Sequence, residues 1–105
     1  MDEAEEIIVS TIVLGELYAG FALGSRRARN LAELKQFLDQ PGVRVVPPTD
    51  AVAQRYGEVI RVLRKNGTPI PTNDVWISST ALETGSRVLS FDAHFARVPG
   101  VLLVD

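Results

Sequence analysis

Four short runs along the chain are apolar almost without interruption: IIVS at 7–10, VRVV at 43–46, RVLSF at 87–91 and VLLV at 101–104. Each is rich in β-branched residues, and none alternates apolar with polar. A strand with one wet face would alternate, so continuous runs of this length predict parallel strands buried on both faces. Between the runs the apolar spacing changes to that of helices. In TIVLGELYAGF (11–21) Val13, Leu14, Leu17, Tyr18 and Phe21 fall on one side, with Ser10 or Thr11 placed to cap the N-terminus. In RRARNLAELKQFLDQ (26–40) the stripe is Ala28, Leu31, Leu34 and Leu38, and Pro41-Gly42 ends it. In TDAVAQRYGEVIRVLRKNG (49–67) Val52, Tyr56, Val59, Ile60 and Leu63 share a face between a Thr-Asp cap and an Asn66-Gly67 stop. A further helix is predicted from about Asp74 to Thr84, closed by Gly85.

Strands separated by helices in this order predict an α/β fold, a mostly parallel sheet with helices on both faces. At 105 residues and 46% hydrophobic, the chain reads as a single domain over 1–105 with enough apolar surface for a core. It contains no cysteine, which excludes disulfides, thiolate metal sites and cysteine nucleophiles. No apolar run approaches the roughly 20 residues of a membrane span, and MDEAEE is acidic where a secretory signal would be basic. A cytoplasmic protein is expected.

The net charge of −2 gives no general attraction for nucleic acid. Basic residues cluster as Arg26, Arg27 and Arg29 and as Arg61, Arg64 and Lys65, which on the plain reading are the wet faces of helices. The acids are more informative. On a helical projection Asp74 shares its face with Ile77, Ser78, Ala81 and Leu82, so an inward stripe begins with a carboxylate. In open α/β sheets ligands bind off the carboxyl ends of the strands. Asp92 directly follows the run RVLSF, Asp74 opens the helix leading into it, and Glu16 lies in the helix after IIVS, beside Ile12 at the margin of the apolar stripe and beside Ala19 and Gly20, small residues that would let other backbone come close.

Each acid has a plain structural role open to it: a first-turn acid for Asp74, a turn residue for Asp92, an arginine partner for Glu16. Gathered together, three carboxylates repel one another unless a cation joins them. Oxygen donors alone suit Mg²⁺ or Mn²⁺ rather than Zn²⁺. Other chemistries lack support. His94 is the only histidine and reads as a capping or packing residue, phosphate-binding glycine motifs are absent, and Ser78, Ser79 and Thr80 have neither a base nor a nucleophile elbow.

The blocks VSTIVLGELYAGF, TNDVWISSTALETG and VLSFDAHFARVPGVLLV resemble those of PIN-domain proteins, specifically VapC-type toxins of toxin–antitoxin pairs, over residues 7–105. The resemblance implies a Mg²⁺- or Mn²⁺-dependent endoribonuclease that is commonly a homodimer and is inhibited by a cognate antitoxin. It implies metal binding by Asp74 and Asp92, and by Glu16 either metal binding or positioning of the attacking water. Thr72 and Asn73 would aid a phosphate or a metal-bound water, or simply cap the helix. One departure stands out. PIN domains open with a central strand ending in Asp, whereas this chain begins MDEAEEIIVS, and Asp2 has no apolar strand leading to it. In the family's sheet order, 3-2-1-4-5, the missing strand lies in the middle, and its absence would leave two strand pairs with unpaired inner edges. The expectation is that the halves close up directly, that a strand is borrowed from another chain, or that a segment of the natural protein lies outside this sequence. Weak metal binding and low or no activity are expected. The competing expectation is a noncatalytic PIN-like module that binds an antitoxin-like helix or a second copy of itself, with Trp76, opposite the inward face of its helix, suited to a second helix or a partner surface.

Overall fold

The structure, a computed structural model, describes residues 6–88 together with the strand residues 102 and 103. The chain divides into two compact units, Met1–Pro47 and Pro48–Asp105.

The first unit runs β1 (Ile7–Ser10), α1 (Thr11–Leu23), α2 (Arg27–Leu38) and β2 (Val43–Val46). Ser10 ends the strand and caps the helix, its Oγ accepting the Ile12 amide at 3.1 Å. That bond satisfies one of the amides a helix start leaves unpaired. β1 and β2 pair in parallel from Ile7 opposite Val43 to Ser10 opposite Val46. Thr11 Oγ1 donates to the Val46 carbonyl at 3.2 Å, which ties the start of α1 to the end of β2. The predicted stripe of α2 is recovered in part: Leu31, Leu34 and Leu38 are half-buried and Ala28 is exposed.

Burial in this unit falls short of the sequence pattern. Ile7 is 47% and Val45 40% exposed, so the ladder is not closed on both faces as the continuous apolar runs suggested. Two helices are all that the unit itself supplies to cover it. On α1 Leu14 is buried, but Leu17 and Tyr18 of the predicted inward stripe are exposed. A helix apolar on nearly every side can bury only the side that meets a neighbour.

The second unit runs α3 (Asp50–Asn66), α4 (Thr72–Thr84), β3 (Arg87–Val88) and β4 (Leu102–Leu103). α3 has the predicted limits. Thr49 Oγ1 accepts the Val52 amide at 3.3 Å, and Gly67 stops the helix at φ +67°, a left-handed conformation that an L side chain resists. Val59 and Leu63 of α3 pack with Val75 of α4, flanked by Tyr56, Ile60, Ile70 and Leu82. The helices run in opposite directions: Arg55, early in α3, pairs with Glu83, late in α4, while Leu63, late in α3, meets Val75, early in α4.

α4 begins two residues before the predicted start and is buried over a wider arc. Val75, Ser78 and Ser79 are fully buried, and Thr80 and Ala81 nearly so. Helical hydroxyls become tolerable inside because they fold back on their own backbone. Ser79 Oγ donates to the Val75 carbonyl at 2.6 Å and Thr80 Oγ1 to that of Trp76 at 3.0 Å. Trp76, expected to face a second helix or a partner, faces the second helix: its ring lies against Tyr56.

β3 and β4 pair in parallel, Arg87 opposite Leu102 and Val88 opposite Leu103. The strand pairs β1–β2 and β3–β4 are the two anticipated from the family's order. No helix among the described residues is long and apolar enough to cross a membrane.

Candidate active site

Asp74 is the third residue of α4. Pro71 occupies the N-cap position and makes no side-chain cap bond; the Val75 amide reaches back to the Pro71 carbonyl at 3.1 Å. Thr72 and Asn73 therefore sit inside the first turn rather than at the cap, which corrects the capping role read for them from sequence. Proline suits the position before the first turn because its backbone is already extended and it has no amide to satisfy. Asp74 is half-buried near the positive end of the helix dipole, where a carboxylate gains about 0.3–1 kcal/mol. One turn further, Ser78 is 0% exposed and its Oγ has no hydrogen-bond partner among the described residues. In sequence Ser78 is one of three adjacent hydroxyl residues; only packing distinguishes it from Ser79 and Thr80, whose hydroxyls are bonded.

Glu16 lies on α1, exposed. A Cβ built at Gly15 or Gly20 meets nothing within 4 Å, so the close backbone approach expected beside Glu16 is not made there. Asp92 and His94 lie outside the described residues. Thus Glu16 belongs to the first unit and Asp74 to the second, and among the described residues neither unit by itself gathers three acidic or histidine side chains that could hold a metal.

The charges on α3 form a second feature. Arg55 is paired with Glu83 at 3.1 Å and Glu58 at 3.7 Å, and in the first unit Arg29 pairs with Glu33 and Arg44 with Glu6. Arg61, Arg64 and Lys65 are exposed and have no carboxylate partner among the described residues. Their i, i+3, i+4 spacing was the visible signal; that none of them is paired with a carboxylate among the described residues was not.

The profile of the PIN domain matches residues 1–101. The chain belongs to the PIN-domain family. It is 31% identical over 101 residues to Ribonuclease VapC4 of Mycobacterium tuberculosis, a match covering 91% of this chain and 74% of the relative. It is 30% identical over 98 residues to Ribonuclease VapC2 of Rickettsia felis, covering 92% of this chain and 72% of that protein. Among solved structures, that of VapBC2 from Rickettsia felis bound to a promoter DNA fragment superposes with a TM-score of 0.84 at 26% identity, over 97% of this chain and 76% of the other. The VapC-type likeness read from the three sequence blocks is the one these comparisons return. The PIN assignment also accounts for the parallel pairing of β1 with β2, two strands joined through α1 and α2.

Proposed function

We propose that this PIN domain is a divalent-metal-dependent endoribonuclease toxin, restrained by a cognate antitoxin and acting on RNA in the cytoplasm, with a homodimer as its working form. The observation that carries this reading is the identity to a named VapC ribonuclease across 91% of the chain. The likeness to VapBC, a toxin–antitoxin pair, supports the antitoxin.

Asp74 and Asp92 would hold Mg²⁺ or Mn²⁺, with Glu16 either sharing the ion or positioning the attacking water. The donor set fits such an ion: Asp74 and Glu16 offer only oxygen, Asp74 stands in the first turn of α4, and the chain has no cysteine. When bound, the ion supplies activation of water and stabilisation of charge developing on the phosphate. Asn73, exposed beside Asp74 in the first turn of α4, offers an amide donor to a phosphate oxygen.

A specific observation favours the second reading, a noncatalytic module that binds an antitoxin-like partner or another copy: α1 exposes Leu17 (37%), Tyr18 (46%) and Leu23 (91%). One experiment separates the two. RNA cleavage in Mn²⁺ and Mn²⁺ binding by calorimetry are measured for the parent chain and for Asp74→Asn, Asp92→Asn and Glu16→Gln. The nuclease reading expects each substitution to lower cleavage on the order of a hundredfold or more, with weaker Mn²⁺ binding for the two aspartates. Cleavage retained in Asp74→Asn overturns the assignment of the site. A parent chain that neither cuts RNA in any divalent metal nor binds Mn²⁺ leaves the interaction module.

A further inference from the structure

We propose that Arg61, Arg64 and Lys65 form a docking surface for the RNA phosphates that flank the scissile bond; this rests on the ribonuclease reading above. The placement follows from the hairpin. α3 and α4 are antiparallel and joined by residues 67–71, so the last turns of α3 lie at the same end as the first turn of α4, which carries Asp74. The cations recur at i, i+3 and i+4 on the side of α3 turned away from Val59 and Leu63. At that spacing their Cβ atoms stand about 5–6 Å apart, making one continuous patch.

Two features set the patch apart from an ordinary wet helix face. At the other end of the same hairpin Arg55 is neutralised by Glu58 and Glu83, whereas these three cations have no carboxylate among the described residues. The helix dipole explains cations only in the last turn, which holds Arg64 and Lys65; Arg61 lies one turn earlier. A polyanion brought against Asp74 meets repulsion from the carboxylate and from the net charge of −2, and cations at the same end of the hairpin offset it locally. A lipid surface fits poorly. The exposed positions beside the cations, Gln54, Gly57 and Glu58, offer nothing apolar to insert, and one is acidic.

The test is binding of a labelled single-stranded RNA in EDTA, read by fluorescence anisotropy across a potassium chloride series, for the parent chain and for Arg61→Gln/Arg64→Gln/Lys65→Gln. Each phosphate contact on a single strand contributes about 0.7 to the salt slope, so the triple variant is expected to lose about 2 from it. Taking about 1 M salt as the point where counterion release vanishes, that is roughly a hundredfold weaker binding at about 0.1 M. Arg61→Gln alone, outside the last turn, is expected to lose about 0.7, and it decides the matter should the triple variant not fold. An unchanged slope overturns the proposal, as does a parent chain that does not bind RNA. Equal, equally patch-dependent binding of poly-glutamate or of anionic vesicles also overturns it, because the surface would then serve an acidic protein or a membrane. Cleavage in Mn²⁺ is measured alongside. RNA that is bound through the patch but not cut removes the nuclease reading and with it the scissile bond, and keeps only the contact between the patch and RNA phosphates. RNA that is cut with an unaltered slope keeps the nuclease reading and overturns the patch.

Discussion

Trp76 of α4 lies over Tyr56 of α3, ring centroids 4.4 Å apart and planes inclined at 36°. Both rings are half-buried, and Tyr56 also packs against the core of Val59, Leu63 and Val75. The only tryptophan of the chain is thereby used to hold its own hairpin.

The pair is expected to be energetically coupled. Aromatic pairs in tilted contact contribute about 0.5–1.5 kcal/mol beyond the area they bury. Urea unfolding of Trp76→Leu, Tyr56→Leu and the double variant should give a coupling in that range. Additive losses would mean that the rings share a surface without interacting.

Ser78 and Ser79 are neighbours in sequence with opposite expectations. Ser78→Ala removes a buried hydroxyl that has no partner among the described residues and should raise stability by about 1 kcal/mol. Ser79→Ala deletes the bond to the Val75 carbonyl and should be neutral or cost up to about 1 kcal/mol. Thermal melting of the two variants side by side reads the difference in sign.

Two glycines of α3 should also diverge. At Gly57, inside the helix, an added Cβ meets nothing within 4 Å, so Gly57→Ala should stabilise by about 0.5–1 kcal/mol. At Gly67 the space is just as open but φ is +67°, so Gly67→Ala should cost about 1–2 kcal/mol through backbone strain alone. Equal melting temperatures for the two would show that the left-handed stop of α3 is not enforced.

Leu63→Ala tests the centre of the second unit. Leu63 is 2% exposed and packs with Val59 and Val75, so its truncation should cost about 2–5 kcal/mol in chemical denaturation. Leu23→Ala, at a side chain 91% exposed, should change stability by less than about 0.5 kcal/mol.

Much of the local structure was legible because it depends on neighbours in sequence. The Thr49 cap and Gly67 stop of α3 follow from hydrogen-bonding and conformational preferences that act over a few residues, and the strands IIVS and VRVV have the limits their composition suggested. The start of α4 was misread because Pro71, Thr72 and Asn73 all suit a helix N-terminus, and sequence does not rank them. The acids were legible as types at telling positions. Asp74 stands where it was expected, at the head of a helix, and Glu16 within the helix that follows IIVS.

The order of apolar and polar residues determined by itself that this chain alternates strands with helices and pairs its strands in parallel, because periodicity and local capping are properties of the covalent chain. Tertiary structure alone decided which apolar side chains are used. Leu14 is buried while Leu17 and Tyr18 are not, and Trp76 meets Tyr56. It likewise decided that the hydroxyl of Ser78 is shut away without a partner among the described residues, and that Arg55 is neutralised while Arg61, Arg64 and Lys65 share an end of the hairpin with Asp74. The reason is that burial and charge pairing depend on what residues distant in sequence bring to the same place, and no local pattern carries that information.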